Sequence, residues 1–215
     1  MSEAEENYLK AIYRLQDEVS SNGKELGLRL GAKPASVTEM LRKLSAKDWV
    51  VYEPYKSITL TTEGLRLATQ IVRRHRLWEV FLVEKLGFAW NEIHEIAEQL
   101  EHIRHEGLVE RLDAFLDHPT VDPHGDFIPN NRGVAESDQL IALYHAPVGG
   151  RKKLCRVADD QDSFLLYLNR IGLALGTVLT IQNKNAFDGT IEAEWLGKVH
   201  TLSEKTSKLL FVEPA

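Results

Sequence analysis

The sequence predicts a mainly helical protein that ends in a small β domain. Three observations support this prediction: apolar residues recur at helical spacing through the N-terminal half, short β-prone runs separated by glycines occupy the C-terminal third, and a long polar loop lies between them. The chain has 215 residues, of which 43% are hydrophobic and 27% charged, a composition typical of ordered globular proteins. We therefore expect folded domains and exclude a fibrous or disordered chain.

The N-terminal segment has the element order of a winged helix-turn-helix domain. A helix comes first, a break at Gly31 and Pro34 separates two shorter helices, and a proline-containing turn joins two β-prone runs into a hairpin. Thr61 or Thr62 can cap the long helix that follows. The predicted elements are helices over 4–16, 24–30 and 35–46, strands over 50–53 and 58–61, and a helix continuing through Leu82.

The remainder of the chain changes from helical to β-prone. Helical spacing resumes from Trp90 to about Leu116 with a break at Gly107, and a polar loop then runs from His118 to Gln139. Short strands that alternate with glycine turns indicate a small β-barrel, so we place a domain boundary in the polar loop. The predicted strands cover 154–157, 178–181, 190–195 and 209–212, with one helix near 163–171.

Charge is distributed unevenly along the chain. Positions 1–76 contain 13 basic and 10 acidic residues, a net charge of +3, whereas positions 77–215 contain 13 basic and 22 acidic residues, a net charge of −9. A mildly basic N-terminal part on an acidic body is compatible with a DNA-binding module attached to a sensing or oligomerising part.

Cysteine content and hydropathy suggest the compartment. The single cysteine, Cys155, excludes an internal disulfide and a zinc site made only of cysteines, and it fits a reducing environment. The apolar runs are far shorter than the ~20 residues of a membrane-spanning helix, and no secretory signal opens the chain. We expect a cytoplasmic protein with no membrane partner.

The third predicted helix is the candidate recognition helix. Small hydroxyl side chains at its exposed start suit contacts to base edges, and basic side chains further along suit phosphates beside a major groove. For this helix alone, a plain helical hairpin whose hydroxyls only cap the helix is the alternative. The lysine at the hairpin tip favours DNA binding, because a wing can reach the phosphate backbone. The candidate DNA contacts are Lys33, Pro34, Ala35, Ser36, Thr38, Glu39, Arg42, Lys43 and Lys56.

A second constellation consists of histidines and glutamates, since six of the eight histidines lie between positions 75 and 124. Two histidines and two glutamates of the helix predicted from Trp90 stand at i, i+4, i+7 and i+8 and so share one face, and the preceding helix has a further pair at i, i+4. Imidazole and carboxylate donors suit Mn(II), Fe(II), Co(II) or Zn(II). A solvated face with helical ion pairs is the alternative. The residues are His94, Glu98, Glu101, His102, His75 and Glu79.

An enzyme is the competing class for such a cluster. The two-histidine zinc-protease motif fails, because Val109 stands where a second histidine would have to follow His105 and Glu106. The sequence shows no phosphate-binding loop, no dinucleotide fingerprint and no independent base or nucleophile. A hydrolase or oxidase that uses two metal ions stays as one alternative, and a metal-independent interaction protein with a peptide-binding β module stays as another.

Motifs along nearly the whole chain add a family resemblance. They are Glu6-Asn7-Tyr8-Leu9-Lys10-Ala11-Ile12-Tyr13, the helix start Pro34-Ala35-Ser36-Val37-Thr38, Leu60-Thr61-Thr62-Glu63-Gly64, Arg74-His75-Arg76-Leu77, Glu98-x-x-Glu101-His102, and His118-Pro119 through Asp122-Pro123-His124-Gly125 to Ile128-Pro129. Together they resemble the diphtheria-toxin-repressor family of metal-dependent transcriptional repressors, which includes iron-dependent regulators and manganese transport regulators.

The resemblance implies a domain organisation and a function. It implies a winged helix-turn-helix DNA-binding domain over 1–64, a helical metal-binding and dimerisation domain over 65–139, and an SH3-like (FeoA-like) β-barrel over 140–215. It also implies a homodimer that binds palindromic operators on double-stranded DNA when metal is bound, and that controls metal-uptake genes.

The resemblance further implies two metal sites. The ligands of the regulatory site would be Glu98, Glu101, His102 and, from the first helix, Asn7. The ligands of the second site would be His75, Glu79, His94 and, from the C-terminal domain, Asp160.

The sequence departs from the family pattern in its first helix. Asn7 stands where other members have methionine or aspartate, and Lys10 stands where manganese-type members have a further carboxylate. Lys10 cannot bind a metal and would repel it. Oxygen ligands without a thiolate favour Mn(II) or Fe(II), although the general affinity order lets Zn(II), Co(II) or Ni(II) bind in vitro.

Overall fold

The structure is a computed structural model that describes residues 1–15, 22–53, 56–105, 107–130 and 140–215. Parts of three predictions fall outside these residues: Gln16 of the first helix, Pro54 and Tyr55 of the hairpin turn, and positions 131–139 of the polar loop.

Three helices and a short hairpin form the N-terminal domain. They are α1 (Glu3–Leu15), α2 (Gly23–Arg29), α3 (Pro34–Ala46), β1 (Val50–Val51) and β2 (Thr59–Leu60). The two strands pair antiparallel. The apolar faces of the helices meet in one core that includes Leu9, Leu26 and Leu41. Pro34 occupies the first turn of α3, where a missing N–H costs no helical hydrogen bond.

The helical domain is built around one long helix. Its elements are α4 (Thr62–Glu84), α5 (His94–Leu100) and α6 (Leu108–Phe115). Thr61 caps α4 as predicted, because its hydroxyl accepts from the N–H of Gly64 at 3.0 Å. A Cβ on Gly64 would lie 1.8 Å from the carbonyl oxygen of Trp49, so only glycine lets α4 start this close to the N-terminal domain. The helix predicted from Trp90 begins later, at His94, after a turn.

The C-terminal domain is a six-stranded antiparallel sheet with two short helices. Its elements are β3 (Ile141–Ala142), β4 (Arg151–Val157), α7 (Asp162–Arg170), β5 (Val178–Lys184), β6 (Ile191–Trp195), β7 (Lys198–Leu202), α8 (Glu204–Lys208) and β8 (Leu210–Pro214). The strand order is β3-β8-β4-β5-β6-β7. Leu154, Leu165 and Ile181 contribute to its core, and Trp195 donates its indole N–H to the carbonyl of Ile171 at 3.0 Å.

This architecture confirms the predicted fold class. The strands β3 and β7 and the helix α8 were not predicted. In the described part of the chain, every helix is too short or too polar to cross a membrane.

Candidate metal centre and DNA-binding surface

Helix α4 places His75 and Glu79 one turn apart on its buried face. Both residues are 2% exposed, and Nε2 of His75 lies 3.0 Å from Oε1 of Glu79. His94, at the start of α5, packs edge-on against the ring of His75, and its Nδ1 lies 3.7 Å from the same Glu79 oxygen. One donor atom from each residue lies within 4.8 Å of the other two. The structure thus brings these three predicted ligands together.

The loop after α6 adds two donors on the other side of Glu79. Nδ1 of His124 lies 3.9 Å from Oε2 of Glu79, and Glu79, Asp122 and His124 form a second group of donors within 4.8 Å of one another. Gly125 fixes this loop against the C-terminal domain. Its φ is +87°, and a Cβ there would lie 2.0 Å from the carbonyl oxygen of Cys155. Only glycine permits this conformation and this approach.

Asp160 brings the C-terminal domain to the same place. Its Oδ2 lies 3.2 Å from Nδ1 of His94 and 3.2 Å from Nη1 of Arg14, which belongs to α1. We name as the Glu79 cluster the six residues His75, Glu79, His94, Asp122, His124 and Asp160. The cluster draws side chains from α4, α5, the loop after α6 and the loop before α7.

Burial and neighbouring charges shift two carboxyl groups of the Glu79 cluster in opposite directions. Burial favours the neutral form of Glu79, but the charge of His75 and the close approach of the His75 and His94 ring nitrogens hold the pKa of Glu79 well below its usual range. Burial, and then the charges of Glu79 and Asp126, raise the pKa of Asp122 to about 7 in spite of nearby Arg76. Burial is the largest cause of this rise and the neighbouring carboxylates add to it, so a cation beside Asp122 would favour its charged form.

Two histidines of the Glu79 cluster are oriented by groups outside it. Nδ1 of His75 lies 2.6 Å from Oε2 of Glu101, and Nε2 of His124 lies 3.0 Å from the carbonyl oxygen of Trp90. When these nitrogens donate their protons, the opposite ring nitrogens present lone pairs to the cluster, as metal-bound histidines commonly do. Nε2 of His75 lies 3.0 Å from Glu79 and Nδ1 of His94 lies 3.2 Å from Asp160, but within the described residues neither buried nitrogen has the alignment of a hydrogen bond. These oxygen and imidazole donors fit a divalent cation.

A lysine occupies the other predicted site, at the end of α5. Lys10 of α1 is 5% exposed. Its Nζ lies 2.7 and 2.8 Å from the two carboxylate oxygens of Glu101 and also pairs with Glu98. Burial favours the neutral form of Glu101, but a hydrogen bond from His75 and the charge of Lys10 lower its pKa. We name Lys10, Glu98 and Glu101 the Lys10 cluster. One donor atom each of His75, Glu98 and Glu101 lies within 4.8 Å of the other two. A metal bound there by both carboxylates would nevertheless need the position of the Lys10 ammonium group, so the Lys10 cluster does not fit a metal.

His102 does not lie on the predicted helical face and contacts Glu6 of α1. Because α5 ends at Leu100, the prediction that one regular helix presents all four residues is wrong: Glu101 is the C-cap and His102 lies beyond it. Its Nδ1 lies 2.6 Å from Oε2 of Glu6, and its Nε2 is 3.9 Å from Glu101. The other oxygen of Glu6 lies 3.4 Å from Arg74 and 3.1 Å from Arg104.

Asn7 has an unsatisfied oxygen near this region. Its Oδ1 is buried and, within the described residues, has no hydrogen-bond partner. A buried carbonyl oxygen without a partner is unfavourable. The ligand role of Asn7 stays a prediction.

Sequence reasoning missed two donors and two partners. Asp122 and His124 stand in a loop, where no periodicity marks them, although six histidines within one segment were a usable signal. The contact of Lys10 with Glu101 and that of Glu6 with His102 join positions more than 90 residues apart, so no local pattern could show them.

Helix α3 presents its first turn and one side to solvent. Val37 and Leu41 face the core, and the hydroxyl of Thr38 donates to the carbonyl of Pro34 at 3.0 Å. Of the predicted DNA contacts, Thr38 is half-buried and the following are exposed: Lys33, Pro34, Ala35, Ser36, Glu39, Arg42, Lys43 and Lys56. This exposure is compatible with the predicted DNA contacts.

Two of the predicted DNA contacts have carboxylate partners within the chain. Nζ of Lys43 lies 3.0 Å from Oε1 of Glu5 on α1. Nζ of Lys56 lies 2.5 Å from Oε2 of Glu53, and the Lys56 side chain is 68% exposed. A solvent-exposed pair of this kind is weak, so Lys56 can exchange Glu53 for a phosphate.

Three family models match the chain in the order of its domains. The N-terminal DNA-binding domain of the iron-dependent repressors matches residues 1–58, and the metal-binding and dimerisation domain of the same proteins matches residues 61–130. The FeoA domain matches residues 141–214.

Individual relatives match over most of the chain. The iron-dependent repressor IdeR of Mycobacterium leprae is 31% identical over 195 residues, which cover 84% of this chain and 84% of the relative. The diphtheria toxin repressor of Corynebacterium efficiens is 28% identical over 191 residues, 83% of each chain.

Solved structures agree with these relatives. A manganese-dependent transcriptional repressor in complex with manganese has a TM-score of 0.91 at 32% identity, covering 98% of this chain and 100% of the other. ScaR with bound Cd2+ has a TM-score of 0.88 at 35% identity, covering 98% and 99%. The chain therefore belongs to the iron-dependent repressor family and is a metal-dependent, DNA-binding transcriptional repressor, not an enzyme.

Proposed function

We propose that Mn(II) or Fe(II), bound at the Glu79 cluster, activates this repressor. The observation that carries the proposal is the pair of buried ring nitrogens, Nε2 of His75 and Nδ1 of His94, that face buried carboxylates without a hydrogen-bond partner among the described residues. Of the eight ligands predicted from the sequence, His75, Glu79, His94 and Asp160 belong to this centre, together with Asp122 and His124. The remaining four, Asn7, Glu98, Glu101 and His102, lie around Lys10.

The choice of metal follows from the donors. The Glu79 cluster offers carboxylate oxygens and imidazole nitrogens without a thiolate, which favours Mn(II) or Fe(II) over softer ions. Zn(II), Co(II) or Ni(II) are expected to bind in vitro as well, because the affinity order favours later ions. Solved relatives hold manganese, Cd2+ or Zn2+, which supports a site for divalent cations.

The residues of the Glu79 cluster link all three parts of the chain. Glu79 comes from α4, Asp160 from the C-terminal domain, and Arg14 of α1 contacts Asp160. A bound ion supplies the positive charge that the cluster lacks. We propose that this linkage favours the orientation of α3 that fits the operator. Because the coupling is reciprocal, operator DNA must tighten metal binding by the same factor as metal tightens DNA binding.

We propose that the repressor acts as a homodimer on double-stranded, palindromic operators in the cytoplasm. Large apolar side chains are exposed just after α4 and on α6: Leu86 is 56%, Phe88 38% and Phe115 63% exposed. Such side chains are typical of an interface. A two-fold axis would present two copies of α3 to two operator half-sites. By family resemblance, the regulated genes are metal-uptake genes.

The test is metal-dependent operator binding under anaerobic conditions. Operators are first selected from random duplex DNA with Mn(II) present, and binding is then measured with Mn(II), Fe(II), Mg(II) or a chelator. We expect Mn(II) and Fe(II) to tighten binding about 10-fold or more relative to the chelator, and Mg(II) to have little effect. Equal affinity in all four conditions would contradict the proposal.

A further inference from the structure

We propose that the ammonium group of Lys10 replaces a second metal ion, so that each chain binds one divalent ion, at the Glu79 cluster, and none at the Lys10 cluster. The single ion rests on the proposed function, whereas the blocking role of Lys10 rests on the contacts of Lys10 itself.

The contacts of Lys10 satisfy its whole hydrogen-bonding capacity. An ammonium group has three N–H donors, and Nζ of Lys10 donates to three carboxylate oxygens, namely Oε1 of Glu98 and both oxygens of Glu101. Glu101 is 0% and Lys10 5% exposed, so water cannot readily replace either partner. The ammonium group therefore occupies the point on which the two carboxylates converge.

Charge around the Lys10 cluster is already balanced. Three carboxylates, those of Glu6, Glu98 and Glu101, face three cationic side chains, those of Lys10, Arg74 and Arg104. A divalent ion would add two positive charges beside a buried ammonium group, which is unfavourable at low dielectric. The Glu79 cluster differs, because its carboxylates lie close together in a buried space and their negative charges repel one another.

The position of Lys10 also gives its ammonium group a mechanical role. Lys10 belongs to α1 of the DNA-binding domain, and its partners lie on and just after α5 of the metal-binding domain. Lys10 therefore joins the two domains without any ion. Only the Glu79 cluster is left to respond to metal concentration.

The surroundings of Lys10 retain donors for an ion. Oδ1 of Asn7 is buried without a hydrogen-bond partner in the described part of the chain, and it lies on the same helix, three positions before Lys10. His102 and both glutamates are also present. Removing the ammonium group should therefore create a second metal site.

The experiment counts Mn(II) ions per chain by equilibrium dialysis of the full-length protein. We expect one ion for the wild type, two for Lys10→Glu and Lys10→Gln, and one for Lys10→Arg, which keeps the cation. Lys24→Gln, which removes an exposed lysine of α2, is the matched control and should also bind one. The double variant Lys10→Glu/Glu79→Gln should bind one ion, at the new site.

The difference between Lys10→Glu and the wild type tests the role of Lys10. If both bind the same number of ions, including two each, the proposal is overturned. The count for the wild type tests the proposed function separately: no ion in the wild type and one in Lys10→Glu would refute a metal centre at Glu79 and still support the blocking role of Lys10.

Thermal melting, measured with and without Mn(II), provides a second test that also reports whether each variant is folded. Without metal, Lys10→Gln leaves two glutamates unbalanced, so its Tm should fall below that of the wild type. Because a ligand stabilises only the folded state to which it binds, Mn(II) should raise the Tm of Lys10→Gln by more than that of the wild type. An equal increase in Tm for Lys10→Gln and the wild type would overturn the proposal, whatever the dialysis result.

Discussion

The Glu79 cluster and the Lys10 cluster contain similar ligand-type residues, yet they balance buried negative charge in different ways. The Lys10 cluster is balanced by a lysine of the same chain. In the Glu79 cluster, Arg14 and Arg76 approach only Asp160 and Asp122, and two ring nitrogens have no hydrogen-bond partner within the described residues. Carboxylates and histidines at suitable spacing therefore do not define a metal site until the neighbouring cations are counted.

One residue connects the two clusters. His75 contacts Glu101 through Nδ1 and faces Glu79 through Nε2. The Lys10 cluster thus supports the Glu79 cluster, because Glu101 orients the ring that faces Glu79. Substitutions in the two clusters should consequently have different signatures: loss of metal binding in one and loss of stability in the other.

The largest effect is expected for Glu79→Gln. This change removes the carboxylate that His75, His94 and His124 all face, so Mn(II) affinity should fall on the order of 100-fold and metal-activated DNA binding should disappear. Titration with Mn(II) and a DNA mobility shift measure both, with circular dichroism to verify folding. His105→Ala, at an exposed position, is the control. An unchanged Mn(II) affinity in Glu79→Gln would remove the contrast between the clusters.

The next effect is a loss of stability in Glu101→Gln. Removing one partner of a buried ion pair should lower the free energy of unfolding by about 3 kcal/mol, measured by urea denaturation in the presence of a chelator. The control, Glu95→Gln on the exposed face of α5, should change it by less than about 0.5 kcal/mol. Wild-type stability together with the loss of one Mn(II) per chain would show that Glu101 is a ligand.

A third acid, Glu5, extends the lysine-balanced pattern to the DNA-binding domain. Burial opposes its charged form, but Lys47 at 2.6 Å, the backbone N–H of Ser2 and Lys43 hold the pKa of Glu5 at about 2, below the value of 4.5 for an unperturbed glutamate. Because the pKa is lower in the folded state, Glu5 stabilises the protein above about pH 4.5, and this stabilisation is lost as the pH falls towards 2.

Glu5→Gln should therefore lower the free energy of unfolding by about 1–2 kcal/mol at neutral pH, a value reduced from full linkage because both lysines are partly exposed. The difference from the wild type should shrink as the pH falls from 4.5 towards 2. Urea denaturation across this range, with the exposed Glu3→Gln as control, measures it. A difference that is the same at pH 7 and pH 3 would mean that Glu5 acts through packing and not through its charge.

The smallest effect is expected for Lys56→Ala, outside both clusters. Loss of one phosphate contact should weaken binding to all DNA sequences by a few-fold and reduce the slope of log affinity against log salt by about one at most. The loss should be equal with and without Mn(II), because the described residues of the wing contact neither cluster. A change in sequence preference with an unchanged salt slope would contradict the wing assignment.

Local sequence patterns correctly predicted the features that depend only on residues close together in the sequence. The spacing of apolar residues and the cap at Thr61 predicted α4, and the i, i+4 spacing of His75 and Glu79 predicted their common face. The strand β7 escaped prediction, because its pairing with β6, and not a clear alternation in its own residues, defines it. The sequence also predicted that Lys10 could not be a ligand. That its ammonium group sits between Glu98 and Glu101 depends on how α1 packs near the end of α5, which no local pattern records.

The position of Lys10 between Glu98 and Glu101 also has a genetic consequence. Lysine and glutamate codons differ only in their first base. One point mutation at codon 10 therefore replaces the ammonium group of Lys10 with a carboxylate, whose charge a metal ion from the surroundings would have to balance. The two forms depend differently on metal. In the lysine form the side chain itself balances the charge of the two glutamates, whereas the glutamate form needs bound Mn(II) to balance it. Selection on metal availability can therefore act on this chain through a single base at a position away from the exposed face of α3.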